Sequence, residues 1–241
     1  MRESSVATGR LFSMSPTETE PDQIHVGSIG DRVYEALLAR MISLKIPPGS
    51  RISIDALTRD LGVSATPIRA ALIRLEASGL VEKIHNIGYS AAPMPSRQRF
   101  EEMFDLRLLL EPYMAARAAE RLSVDLRREL TELAATMTHP ASGDAKLAYG
   151  KFALQDAKFH SWIAAHGAND LAADALKRLH AHTHLFRLRF HTQVTEEAIY
   201  EHAKIVKALS AGDSAGARDS MASHITASRS RMAPYFDEFA E

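Results

Sequence analysis

The sequence predicts a mainly α protein in two parts, a small helical unit with a two-stranded appendage followed by an all-α antiparallel bundle. Three observations predict it. Beyond residue 27, apolar residues recur at spacings of three and four, the period of helices with one buried face. Leu80 to Ala92 departs from that period and reads as two short strands around a turn at Asn86-Ile87-Gly88. Pro93 and Pro95 then interrupt the chain before the next helical segment.

Residues 1–27 carry no sustained apolar period and include Pro16, Pro21 and Gly27, so they read as a flexible arm. Ser28 is an N-cap for a helix bearing Val33, Leu37, Leu38, Met41 and Leu44, and Pro47-Pro48-Gly49 stops it. A short second helix is capped by Ser53, carries Ile54, Leu57 and Leu61, and ends at Gly62. The third helix has Ser64 as N-cap and Pro67 in its first turn, where a missing N–H is tolerated. Ile68, Leu72 and Leu75 form its buried stripe and Gly79 closes it. Residues 28–92 thus describe a winged helix-turn-helix, and residues 93–97 a linker. Residues 98–233 are helical, with breaks at Ser123, His139-Pro140, Gly167–Asn169, Thr192–Thr195 and Gly212-Asp213. That makes about six helices with short connections, the pattern of an antiparallel bundle, and residues 234–241 read as a tail.

Composition narrows the class. The 241 residues are 46% hydrophobic and 24% charged, enough to bury a core. No run approaches the roughly 18–20 apolar residues of a membrane helix, and the first 22 residues lack the apolar region of a secretory signal. With no cysteine, disulfides, thiolate metal sites and cysteine nucleophiles are excluded, which fits a cytoplasmic protein. The net charge of −1 gives no whole-chain pull toward nucleic acid. Residues 28–92 nevertheless hold eight Lys/Arg against six Asp/Glu, so positive charge sits, thinly, on the proposed reader.

A helix-turn-helix of this kind places the N-terminal end of its third helix in the major groove. There Ser64 and Thr66 offer hydroxyls to phosphate and Arg69 offers a forked donor. With its glycines, prolines and core leucines in register, the stretch Pro47–Ser90, including Gly62-Val63-Ser64-Ala65-Thr66-Pro67-Ile68-Arg69, resembles the DNA-binding domain of the GntR family of bacterial transcription regulators. The resemblance implies double-stranded DNA as partner and Ser64, Thr66, Arg69 and the wing residues His85 and Gly88 as contacts. It also marks departures. Ala65 and Ile87 stand where the family commonly carries DNA-contacting arginines, and Ile54 and Ala70 where it carries glutamates. Losing two Arg contacts weakens the expected affinity and flattens its salt dependence.

The bundle carries a second constellation. Asp156 and His160 stand four apart on a face shared with Phe152, Phe159 and Ile163. His202 lies in the stripe Ile199–His202–Val206–Leu209, and His224 follows Ala217 and Met221 on the last long helix. A single buried histidine is usually a satisfied structural residue, but four such positions on three helices point to a divalent first-row ion, Zn²⁺ first, with Ni²⁺ and Mn²⁺ also permitted. Arg107, within Met103–Arg107–Leu110–Met114, is also on an apolar face. Its guanidinium needs a carboxylate, either Glu111 or another internal acid or that of a bound ligand. His180, His182 and His184 read as a polar, partly solvated face of one helix; His25, His139, His166 and His191 carry no spacing signal.

Phe104–Ala119, Asp156–His160, His166–Leu171 and the His202/His224 pair resemble the FCD domain, the helical effector-binding partner of the winged helix in the FadR-like branch of that family. The resemblance implies Asp156, His160, His202 and His224 as metal ligands and Arg107 as the effector contact. The function it implies is a dimeric repressor that binds a pseudo-palindromic operator and responds to a small carboxylate, such as a hydroxy, sugar or dicarboxylic acid. Two alternatives remain: a metal-dependent enzyme, for which no HExxH, phosphate loop or Gly-x-Ser-x-Gly motif is present, and a metal- or ligand-binding protein with weakened DNA binding.

Overall fold

The structure, a computed structural model, describes residues 28–137, 145–188 and 192–238. The arm 1–27, the break at His139-Pro140, and His25, His139 and His191 lie outside the described residues. Helix α1 (Ile29–Ile42) begins where expected, with the Ser28 hydroxyl accepting from the Asp31 amide. Helix α2 (Ile54–Leu61) is capped likewise by Ser53 and ends on Gly62 in the left-handed conformation, φ 65°. Helix α3 (Ala65–Ala77) follows Ser64. Its stripe of Ile68, Leu72 and Leu75 is fully buried against Leu37, Leu38 and Met41 of α1. Each such side chain contributes roughly 1.5–3 kcal/mol by leaving water.

The wing has one strand more than the sequence predicts. β1 (Arg51–Ile52), β2 (Val81–Ile84) and β3 (Gly88–Ala91) form an antiparallel sheet in the order β1-β3-β2. β1 pairs Arg51 with Ser90 and Ile52 with Tyr89, and the Gly49 amide donates to the Ala91 carbonyl at 2.9 Å. Two residues carry no alternation to read, so this strand exists only because β3 offers it an edge.

The second unit comprises α4 (Arg97–Ala119), α5 (Val124–Ala135), α6 (Ala145–Ala165), α7 (Asp170–Leu179), α8 (Ala181–Leu185), α9 (Thr192–Ala211), α10 (Ser214–Met232) and α11 (Tyr235–Glu238). α10 packs along α4 and α9, while α6 lies against α4, α7, α8 and α9. Three features differ from expectation. Ser96 caps α4, so Arg97 belongs to the helix and not to the linker. The expected break at Thr192–Thr195 is the first turn of α9. The expected tail turns back as α11, with the Phe236 ring 5.1 Å from that of Phe100. A fourth difference matters for the site: His180 adopts φ 47°, which breaks the chain between α7 and α8 where one continuous helix was expected.

The two units pack directly on one another through α1 and α6. At the crossing a Cβ on Gly150 would lie 2.6 Å from the Ala39 carbonyl oxygen, backbone that cannot rotate away. Lys158 reaches Glu35 at 3.2 Å, and Arg187 donates to the Ala92 carbonyl at 2.6 Å. Gly150→Ala ought to gain helix propensity, about 1 kcal/mol. We expect instead a loss of about 1–3 kcal/mol in chemical denaturation, because overpacking at the crossing outweighs propensity; a stabilised variant would show that the contact is not tight.

Candidate metal centre and DNA-reading surface

Asp156 and His160 rise from one face of α6, His202 from α9 and His224 from α10, and all four are buried. One ligand-capable atom from each lies within 4.8 Å of all the others. The structure thus brings the whole expected quartet together. The ring centroids are 4.6 Å apart for His202 and His224, 5.1 Å for His160 and His224, and 5.4 Å for His160 and His202.

Hydrogen bonds around the quartet hold it for coordination from behind. His224 Nδ1 donates to Glu201 Oε2 at 2.7 Å, and Glu201 is itself clamped by Arg231 at 2.6 and 2.8 Å. His160 Nδ1 donates to Glu111 Oε2 at 2.5 Å. A carboxylate only accepts, so each imidazole keeps its proton on Nδ1 and presents Nε2 as a lone pair. His160 Nε2 has no hydrogen-bond partner among the described residues. His202 Nε2 lies 3.3 Å from Asp156 Oδ1, but not in hydrogen-bonding alignment, and both its ring nitrogens are unsatisfied among the described residues. Buried polar atoms left in this state cost about 1–3 kcal/mol each. A cation at their centre removes that cost, and a set of imidazoles with one carboxylate suits a divalent first-row ion.

Protonation favours the same reading. Burial pushes the three imidazoles of His160, His202 and His224 below the usual histidine range, keeping them neutral. Burial alone would raise the Asp156 carboxyl; His182, by charge and hydrogen bond, holds it well below the usual carboxylate range. Neutral imidazoles beside an ionised carboxylate are what ligation requires.

Two residues outside the expected quartet complete the surroundings. His182 Nδ1 donates to Asp156 Oδ2 at 2.6 Å, which leaves Oδ1 facing the histidines. His182 therefore corrects the expectation of a solvated histidine face: residues 182 and 184, two apart on α8, lie about 200° apart around its axis and point to opposite sides. His182 turns into the bundle, and His184 Nε2 lies 3.2 Å from the Ser78 carbonyl at the end of α3. Burial, with the charge of Arg187 next, lowers His184 to about 4, so it is a neutral donor there. Glu111 is the second. It takes the Arg107 Nε at 2.7 Å with both side chains buried, so Arg107 has the internal partner that the sequence left as one of two choices. A cavity of about 370 Å³ between α6, α7 and α8 opens onto Glu111, His160 and His182, with Lys177 on its wall. His166 stands apart, stacked on Trp162.

In the first unit Ser64, Thr66, Arg69, His85 and Gly88 are all exposed, on α3 and the wing. The Ser64 side chain caps nothing, and among the described residues those of Thr66, Arg69 and His85 make no hydrogen bond or ion pair. Gly88 has φ 104°, which the wing turn requires and a side chain would strain.

Residues 29–90 match the family described as bacterial regulatory proteins, gntR family, and residues 102–227 match the FCD domain. The chain is 29% identical over 221 residues to the HTH-type transcriptional regulator LutR of Bacillus subtilis, covering 80% of this chain and 96% of that protein. It is 27% identical over 140 residues to the gluconate operon transcriptional repressor of the same organism, 56% of this chain and 54% of that one. The fold is that of E. coli McbR/YncC, with TM-score 0.65 and 21% identity over 89% of this chain and 100% of that one. A putative GntR regulator from Rhodococcus sp. RHA1 has TM-score 0.61 and 18% identity over 85% and 97%.

Chelation of the purified protein is expected to lower its stability by about 3–4 kcal/mol, the linkage for an ion held at 100 to 1,000 times its dissociation constant. Asp156→Asn, nearly equal in volume, should abolish that sensitivity. Thermal denaturation with and without chelator checks both; a variant that responds as the parent does would remove Asp156 from the ligand set.

Proposed function

Since the chain belongs to the GntR family of bacterial regulatory proteins and carries an FCD domain, we propose that this DNA-binding transcriptional regulator is a homodimeric repressor controlled by a metal-assisted small acid. The observation that carries the reading is the buried quartet of Asp156, His160, His202 and His224, whose ligand atoms lie within 4.8 Å of one another. These residues would hold the ion, and a bound ion offers Lewis acidity to a ligand carboxylate or hydroxyl that completes its coordination. The cavity beside Glu111, His160 and His182 suits an acid of a few carbons, and Lys177 supplies a cation at its wall. Arg107 can meet the same carboxylate only by sharing or releasing Glu111. A hydroxy, sugar or dicarboxylic acid fits this polar lining better than an acyl chain. The name of the gluconate operon relative supports the repressor sense.

A signal from the site has a short physical path to DNA. His182 holds Asp156; two residues on, His184 faces Ser78 at the end of the reading helix α3; and Arg187 holds Ala92 just after β3. Any ligand that changes how Asp156 is held therefore displaces a five-residue helix fastened to both ends of the wing segment. Such coupling works by the ligand's different affinity for two arrangements of the winged helices.

The dimer is supported by α4. Leu106, Leu109 and Tyr113 are 43%, 70% and 42% exposed, an apolar stripe at spacings of three and four. A second copy laid antiparallel about a two-fold axis between positions 109 and 110 sets Leu106 against Tyr113. It also sets Glu102 against Arg117, and Arg99 against Glu120, opposite charges both times. Self-complementarity of this kind is what a two-fold interface demands, and it implies a pseudo-palindromic operator.

The protein is expected to shift DNA from upstream of its own gene, and one of a panel of hydroxy, sugar and dicarboxylic acids should release it only when metal is present. His184→Ala should keep the shift but lose at least tenfold of the acid's effect. An electrophoretic shift assay checks this; no shift at low salt, with or without metal and acids, would contradict it.

A further inference from the structure

The outward face of α3 is unusually poor in hydrogen-bonding groups for a surface that reads bases. Ile68, Ala71, Leu72 and Leu75 are buried, so Thr66, Arg69, Ala70 and Ile73 form the opposite face, with Ala65 half-buried at its start. Arg74 is occupied: it binds Asp31 at 2.9 Å and lies over the Tyr34 ring at 4.0 Å. Arg69 is then the one cation on α3 without a partner among the described residues. Around it stand the methyl groups of Ala65, Thr66 and Ala70 and, one turn further on, Ile73. The Ile73 side chain is 57% exposed although it is as apolar as any in the core.

The major groove contains one apolar feature, the C5 methyl of thymine. We propose that the operator is read largely through thymine methyls, met by Ala65, Thr66, Ala70 and Ile73, with Arg69 reading a single guanine per half-site. The proposal rests on α3 being the DNA-reading helix, and it assigns most of the specificity to methyl groups, which make no hydrogen bond. Guanine offers a guanidinium two acceptors, O6 and N7, which suits the lone arginine. Ala65, Ala70 and Ile73 offer a methyl surface that a cytosine amine or a guanine oxygen would meet without a hydrogen-bond partner, a mismatch that disfavours those bases. Such a reader needs few phosphate charges to discriminate, in keeping with the thin positive charge of residues 28–92.

The test uses the full-length protein. Sites selected from a random duplex library define the half-site, and each of its thymidines is then replaced by deoxyuridine, which removes the C5 methyl and leaves base pairing intact. Thymines should flank one guanine in each half-site. Each replacement should weaken binding about fourfold, the worth of one buried methyl, while replacements outside the half-site do nothing. Ile73→Ala, an exposed change that leaves the fold intact, should make one of those positions insensitive to the replacement. A selected site whose affinity is unchanged by deoxyuridine throughout would overturn methyl readout while leaving DNA recognition standing. Failure to enrich any sequence at low salt would overturn both.

Discussion

The arrangement turns on one constraint, that buried polar atoms must be satisfied. Three imidazoles and a carboxylate are brought into a buried bundle centre, and their mutual distances place ligand atoms together without letting them bond one another well. Hydrogen bonding within the protein has been directed to their far sides, through Glu201, Glu111 and His182. A bundle built only for stability would fill these positions with aliphatic side chains, as it does nearby with Leu209 and Ile205. The inward lone pairs are the feature that an ion explains and packing does not.

From that centre the rest of the chain is within short reach. His180 takes a left-handed backbone conformation that interrupts the helix and starts α8 in a new direction. A residue with a side chain pays strain for that conformation, and what the strain secures is a helix whose successive outward faces touch Asp156 and Ser78. The tight crossing at Gly150 and Ala39 holds α1 against α6, so the winged helix and the bundle bear on each other at two separate places. One is rigid, and the other runs through two side-chain hydrogen bonds, from His184 and Arg187, next to the His182 that holds Asp156. A pivot and a lever of this kind would give a local change at the quartet a direction.

Much of this was legible in the sequence because it rests on local rules. The caps at Ser28 and Ser53 and the Gly62 terminus follow from what those residues do to helix ends, and the structure has them there. The quartet was legible because each member falls on an apolar stripe whose period fixes its direction. His182 was not, since its direction depends on a backbone break that no glycine or proline announces. Across an unbroken helix its histidine neighbours look like a solvated face. The choice between Glu111 and a ligand for Arg107 was left open for a different reason: spacing puts Glu111 four residues on, but only packing shows that both are buried. β1 was hidden because a two-residue strand is a property of its partner.

Whether these four side chains form one metal centre is decided by X-ray absorption at the metal edge of protein purified without chelator. Such a centre has one first-row divalent ion per chain, with a coordination shell of three imidazole nitrogens and a carboxylate oxygen, from His160, His202, His224 and Asp156. A metal content far below one per chain, or a shell with a single imidazole or none, would contradict it.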